Sequence, residues 1–413
     1  MNRTALPRDV DGPAPDLHPT VLASVLVAGH AVKHLYNSGF FLILPEIARA
    51  LNLSNTSVGF LNTARGFAGS GSNLPAGFVA DRFSNRWGRI LGAAMIVIGI
   101  FQFIMGSVDA YWPILLCAMV VSAATSFWHP PAIAALSLRF SARRGLAISL
   151  HGSGGSIGEA LGPILVGGLL GILTWQGIVQ LSLVPAVLTG FVVWFLMRNT
   201  SGHPNGAASL RAYVGGLLDF IRNPHLALIL VSVGAFSMSQ AAMNTFLPIY
   251  LRNELNYEPI IAGGYLFLGQ VAGIVSSPVL GHLSDRFARR AVLVPSLLLL
   301  GTGSFALSVV PEGPALMASV AWIGAVMFPL TSLFLAAAMD RVGAAMQATA
   351  VSLVFGIGTL FGSLSPTIAG LLADGFGVRT AFHWGAAIAL VAAILMAFAT
   401  APSQPPGRAP SGP

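Results

Sequence analysis

Four polar residues in one apolar stretch near the N-terminus, His30, Lys33, His34 and Asn37, follow the i, i+3, i+4, i+7 spacing that puts side chains on a single helix face. Lys33 is the only lysine in the chain. A charged side chain at the middle of a membrane helix costs roughly 2.5 to 3.5 kcal/mol on insertion scales, so it persists where it lines a wet passage or meets a partner. Arg65 and Glu159 fall at similar depth in later apolar stretches, and Glu159 is the only carboxylate well inside one. A glutamate facing the same cavity could neutralise Lys33 or Arg65 in one conformation and take up a proton in another, coupling proton movement to a structural change. A permanent ion pair that only fixes helix packing would use the same residues.

His129 and His151 fall nearer the ends of their helices. With an ordinary imidazole pKa of about 6.5 either could relay protons. For His129, which stands beside proline, a structural hydrogen bond is the plainer expectation. A metal site from His30, His34 and His129 is conceivable, but none is expected, because no nearby carboxylate or cysteine completes a closed ligand set. No cofactor is expected either. In the second half Ser237, Gln240 and Asn244 share an uncharged helix face, followed by Tyr265 and Gln270 in the next helix. They are candidates for substrate contact or for hydrogen bonds between helices.

The elements that must position these groups follow from composition. Of 413 residues 55% are hydrophobic and 8% charged, and the mean hydropathy is +0.77, which no ordinary water-soluble domain shows. A bilayer core of about 30 Å needs roughly 20 apolar residues per helix, so the chain holds about twelve spans. Six are expected over 21–47, 58–79, 90–108, 112–138, 145–173 and 178–196, and six more over 225–251, 260–280, 291–310, 315–338, 345–372 and 381–399. The organisation is a cytoplasmic disordered tail over 1–20, a bundle over 21–197, a linker over 198–224, a second bundle over 225–400 and a tail over 401–413. The first residues carry Asp9, Asp11, Asp16 and prolines, unlike a cleavable signal peptide. The single Cys117 excludes a disulfide framework.

Arginines set the orientation. Arg82, Arg86, Arg89, Arg139, Arg143, Arg144, Arg198, Arg211, Arg222, Arg286, Arg289, Arg290 and Arg341 fall in one set of alternate loops. The opposite set holds only Arg49, Arg252 and Arg379. Basic loops stay on the cytoplasmic side, so both termini are expected there, in a bacterial-type inner membrane. This bias accounts for nearly all of the net charge of +7, and nucleic acid is not an expected partner.

The stretch from Gly77 through Asp81 and Arg82 to Phe83 reappears about 204 residues later from Gly281 through Asp285 and Arg286 to Phe287. Pro45 and Pro248, Pro75 and Pro278, and Pro163 and Pro366 keep nearly the same offset. Two similar six-helix halves can rock about a site at their interface. The loop GFVADRFSNRWGR over 77–89 resembles the signature of the major facilitator superfamily, and the resemblance covers nearly the whole chain. It implies an all-α membrane fold of twelve transmembrane helices in two pseudo-symmetric bundles. Gly77, Asp81, Arg82, Arg86, Gly281, Asp285 and Arg286 would then act in conformational gating. The glycine would allow close helix approach, Asp81 would cap or pair near a helix end, and the arginines would bridge neighbouring helix ends.

The fifth helix, GSGGSIGEALGPILVGG over 152–168, resembles the glycine-proline signature of the superfamily's exporters, with one extra residue before the final glycine pair. Gly162 and Pro163 carry its bend and close packing. The stretch 126–163, with His-Pro in the fourth helix and His30 in the first, is similar to the fosmidomycin-resistance branch. In that branch an acid commonly sits where this chain has His34, a departure that bears on proton coupling. The expected function is a proton-coupled exporter, an antiporter, of small anionic or amphiphilic compounds such as phosphonates. An importer or lipid flippase on the same fold is the alternative, and a non-transporting receptor is disfavoured. No catalytic motif is present, so the chain is not expected to be an enzyme. Membrane lipids, protons and a small-molecule substrate are the expected partners of a monomer.

Overall fold

Inside lipid no water satisfies a backbone N–H or C=O, so each apolar stretch closes its hydrogen bonds within a helix. The computed structural model describes residues 17–200, 224–342 and 347–399. The expected N-terminal tail up to residue 16, the linker from 201 to 223 with Arg211 and Arg222, and the C-terminal tail from 400 lie outside the described residues.

Among the described residues twelve spans follow in order. The first half comprises Pro19–Ala50, Asn55–Arg82, Trp87–Met105, a fourth span in two pieces (Tyr111–Ser126 and His129–Arg139), Arg144–Leu169 and a sixth in two pieces (Trp175–Leu181 and Leu183–Leu196). The second half comprises Pro224–Ile249, Pro259–Arg286, Arg289–Ala306, Pro314–Met339, Gln347–Phe376 and Thr380–Phe398.

Two expected single helices, over 112–138 and 178–196, are each interrupted. Pro130 and Pro131 have no N–H to return to the preceding turn, so the fourth span breaks at Phe127 and Trp128 and restarts at His129. Pro185 stands in the first turn of the second piece of the sixth span, after the break at Ser182. The fifth helix ends at Leu169 rather than near Leu173.

The sequence repeat is also a structural one. The first helix ends in a turn with Asn52 at φ 50°, and the seventh, after one turn of π-helix, ends with Asn256 at φ 53°, the same offset as the loop repeat. Asparagine tolerates this left-handed conformation better than most residues.

By length and composition eight spans are apolar enough to cross a membrane unaided. The first, second, fifth and ninth are not among them. Three of these four carry the buried His30, Lys33, Arg65 and His151.

The first and fifth helices pack along most of their length. The closest approach is at Gly158, where a Cβ would stand 2.1 Å from the Ala31 carbonyl oxygen. Only glycine fits there.

The two halves meet through the second span against the eleventh and the fifth against the eighth. A Cβ on Gly59 would lie 2.1 Å from the Pro366 carbonyl oxygen, and one on Gly263 would lie 2.5 Å from that of Pro163. Along the same pair of helices Gly71 and Gly356 meet nothing within 4 Å. The halves therefore touch at the end that holds Arg49, Arg252 and Arg379, here the distal end, and part toward the arginine-rich end.

Candidate functional site

The break in the fourth span places the site's first group. Trp128, fully buried, fits against the first helix because position 29 is glycine: a Cβ there would lie 2.3 Å from its ring. The next residue, His129, is thereby turned inward. Its Nε2 lies 3.1 Å from Nε2 of His30 and 3.1 Å from Nζ of Lys33. His34 Nε2 lies 3.0 Å from His30 Nε2, as the i, i+4 spacing allows. His151 lies across the closely packed fifth helix and stacks on His30, with ring centroids 3.9 Å apart. Its backbone carbonyl accepts from His30 Nδ1 at 2.7 Å. Glu159, two helical turns further along, pairs with His34, its Oε1 2.8 Å from Nδ1.

One expectation is corrected by this arrangement. Glu159 pairs with His34, not with Lys33 or Arg65. His129, at the start of its helix piece, and His151 both join the cluster, and the ring of His129 contacts the side chains of His30 and Lys33. Glu159 stands beside the His30, His34 and His129 group, at the outer nitrogen of His34, without adding a fourth ligand atom to it.

Arg65 forms a second centre. It is 7% exposed, and its Nη2 donates to Asn37 Oδ1 at 2.6 Å while Nη1 reaches Asn62 Oδ1 at 3.3 Å. Its guanidinium stands over the Phe40 ring, 4.3 Å from the centroid. Among the described residues it has no acidic partner. Asn37 therefore orients the arginine and is separate from the histidine group. Asn62, not anticipated, also bridges the halves by donating to Thr245 Oγ1 at 3.2 Å.

Between the halves lies a cavity in two lobes, about 420 and 340 Å³, which share Asn37, Phe41, Gln240, Asn244 and Thr331. Arg65, Asn62 and Ser237 line the larger lobe, Glu159 and Gln270 the smaller. Four of the five neutral candidates, Ser237, Gln240, Asn244 and Gln270, thus face the space that Arg65 and Glu159 face. Tyr265 does not: it stacks on Tyr257 at 5.6 Å and donates to the Gly313 carbonyl at 3.5 Å, near the distal end.

The distal closure uses residues that were not among the gating candidates. Arg252, on the π-turn after the seventh helix, meets Glu46 of the first helix at 2.6 Å and also donates to the Tyr257 carbonyl. Asp374 of the eleventh span accepts from the backbone N–H groups of Asn55 and Thr56, at 2.8 and 2.9 Å, and from Thr56 Oγ1 at 2.6 Å. The available signal was the scarcity of arginine at that end.

At the arginine-rich end the repeated loops differ. Asp285 pairs with Arg289 at 2.5 Å, and Arg289 reaches Asp340 at 2.7 Å, linking the eighth, ninth and tenth spans. Arg286 lies beside Phe287 instead, so the bridging arginine is Arg289. Asp81 is exposed and makes no ion pair among the described residues, and Arg82 and Arg86 both lie near the Phe83 ring. Gly77 and Gly281 approach no neighbour within 4 Å, while Gly162 fits against Ser38 of the first helix. Close approach at the loop glycines is not made in this conformation.

The fold has well-matched counterparts. A bacterial homologue of the human lysosomal transporter Spinster, solved in an inward-facing and occupied conformation, superposes with a TM-score of 0.80 at 16% identity, over 92% of this chain and 96% of that one. The nucleoside transporter NupG also superposes at 0.80, with 14% identity, over 92% and 99%. In sequence the chain is 23% identical over 357 residues to the uncharacterized MFS-type transporter YfnC of Bacillus subtilis, covering 83% of this chain and 85% of that protein. It is 21% identical over 360 residues to the fosmidomycin resistance protein of Escherichia coli, covering 84% of each. Residues 26–366 match the profile of the Major Facilitator Superfamily, and this chain, a multi-pass membrane transporter and not an enzyme, belongs to that superfamily.

Proposed function

We propose that the protein is a proton-coupled antiporter that exports small organic anions, or amphiphiles with an anionic head, by alternating access. The observation that carries this reading is Arg65: a buried guanidinium on a cavity wall whose hydrogen-bond partners, Asn37 and Asn62, are neutral. A buried charge without a counter-charge is costly, and an anionic ligand in the cavity would supply one. Ser237, Gln240 and Asn244, on the opposite wall, fit the cargo by hydrogen bonding. The resistance to fosmidomycin for which one relative is named agrees with an acidic cargo.

Glu159 supplies the proton-coupling element. Its carboxylate lines the cavity and holds His34, so protonation from the cavity would release that contact and loosen the seam between the first and fifth helices. The two bundles, 21–197 and 225–400, rock about this site in a monomer, joined by the segment 198–224. With arginine-rich loops retained inside an inner membrane, the open end faces the cytoplasm and the closed end the exterior. That is the loading state of an exporter.

The test is flux in proteoliposomes under an imposed pH gradient, with a panel of anionic, neutral and cationic compounds. Acidic compounds should move preferentially, Arg65→Ala should abolish the preference, and Glu159→Gln should break the dependence on the gradient. Better transport of neutral or cationic compounds would remove the anion reading. Unchanged gradient-driven flux in Glu159→Gln would remove the coupling reading, and counterflow in sided vesicles separates export from uptake.

A further inference from the structure

The three imidazoles at the middle of the first bundle pose a problem of hydrogen-bond bookkeeping. His30 Nδ1 lies 2.7 Å from a carbonyl oxygen, so that nitrogen carries the proton. His34 Nδ1 lies 2.8 Å from the Glu159 carboxylate, so it too is the protonated one. Each neutral ring then has only a lone pair on Nε2, and these two lone pairs face each other at 3.0 Å. The third, His129 Nε2, points to the same place from 3.1 Å away and accepts from Lys33. Lone pairs converge in this way around a positive centre.

We propose that His30, His34 and His129 form a binding site for one divalent transition-metal cation of the borderline class, such as Zn²⁺, Co²⁺ or Ni²⁺. The three nitrogens all lie within 4.8 Å of one another. Tetrahedral zinc with Zn–N bonds of about 2.0 Å holds its ligands about 3.3 Å apart, so only small side-chain adjustments are needed. Imidazole ligands suit this class of metal. The far nitrogens already have the outer partners that metal-bound histidines use: His30 donates to a backbone carbonyl, and His34 Nδ1 lies 2.8 Å from a carboxylate. Glu159 opens onto the smaller lobe of the cavity, which provides an entry route. Three protein ligands leave a fourth position open to water or to a cargo molecule.

Lys33 gives the site its distinctive behaviour. Its ammonium donates to the same His129 lone pair that a metal would take, so ammonium and metal compete. Bound metal displaces Lys33 toward another partner. Besides Lys33, the titratable groups facing the triad are His151, stacked on His30, and Glu159.

The experiment is equilibrium dialysis of the purified full-length protein, its affinity tag removed, against Zn²⁺ near neutral pH, followed by metal analysis. One Zn²⁺ per chain is expected. His34→Gln and His129→Gln should each weaken binding at least about 10-fold, and Glu159→Ala by roughly 10- to 100-fold, as loss of outer partners does elsewhere. Lys33→Met should tighten binding, a direction that no generally damaged protein would produce. The exposed His282→Ala should change nothing. Substitution with Co²⁺ tests the unaltered chain independently: nitrogen ligation gives visible ligand-field absorption that added Zn²⁺ abolishes. Failure of the unaltered protein to retain Zn²⁺ and to show that absorption would overturn the proposal in favour of a shared proton. Equal retention in the His34 and His129 variants would overturn it as well.

Discussion

Asp374 holds the closed end of the cavity by a device whose removal has a calculable consequence. Its carboxylate takes two backbone N–H groups and one hydroxyl at the start of the second span, although it belongs to the eleventh. It is an N-terminal cap supplied across the interface between the bundles. An N-cap side chain is worth about 0.5 to 2 kcal/mol, and an anion at a helix N-terminus about 0.3 to 1 kcal/mol. Asp374 is exposed, so screening leaves a combined value of about 1 to 1.5 kcal/mol. The second helix keeps its own cap, Ser54 accepting from the Ser57 N–H, so its stability does not depend on Asp374. The energy therefore belongs to the distally closed state alone. Asp374→Ala should shift the equilibrium toward the distally open state by about 5- to 10-fold.

Accessibility of the cavity reports this shift. The single native cysteine, Cys117, is buried and can be replaced by serine, and Asn244→Cys then places one thiol on the cavity wall. A membrane-impermeant maleimide applied from the distal face should label Asp374→Ala about 5- to 10-fold faster than its parent. Asp374→Asn, which can still accept a hydrogen bond but lacks the charge, should fall between. A labelling rate within about twofold of the parent, in protein that elutes and melts normally, would refute the reasoning.

The other gating contacts lead to further expectations. Glu46→Gln and Arg252→Gln remove the two sides of one half-buried ion pair, and a double-mutant cycle on thermal stability should give a coupling of about 1 kcal/mol, with zero coupling assigning the contact no energy. Gly158→Val pushes the first and fifth helices apart at the Ala31 carbonyl and should cost about 1 to 3 kcal/mol, read as a lower melting midpoint. Gly77→Leu meets open space here and should leave stability unchanged while slowing transport, if the loop glycines approach each other when the arginine-rich end closes; full transport activity would show that they do not.

The fold was legible because its causes are compositional and repetitive. Length and hydropathy limit the number of spans, the arginines alternate by loop, and a repeated loop fixes the relation between the halves. What periodicity could not show were the interruptions: a proline breaks or bends a helix depending on its neighbours, and Pro45 and Pro163 sit inside continuous helices where Pro130 and Pro131 do not. The site was legible as an inventory but not as a set of pairs. The spacing in the first helix put His30, Lys33, His34 and Asn37 on one face, yet the partner of each was decided by glycines in another helix. Gly155 leaves room for the His30 ring, since a Cβ there would stand 2.8 Å from it. That close approach draws Glu159 to His34, and with the carboxylate so engaged Arg65 turns to amides.

The way the one carboxylate is spent determines the electrostatics of the passage. Had Glu159 met Arg65, the cavity wall would present a neutral, closed ion pair, and breaking a buried pair of that kind costs about 3 to 5 kcal/mol, more than a weakly held cargo can supply. Paired with His34, the carboxylate has a partner that can itself lose or gain charge. Arg65, oriented by two amides and an aromatic face, keeps a full positive charge directed at the cavity. On the proposed function, the neutral wall contributed by the seventh span would discriminate by shape and hydrogen bonding without competing for that charge. On the same reading, division of labour between a charged bundle and a neutral one would let a single cavity bind an anion in one conformation and release it in another as the contacts across the interface change.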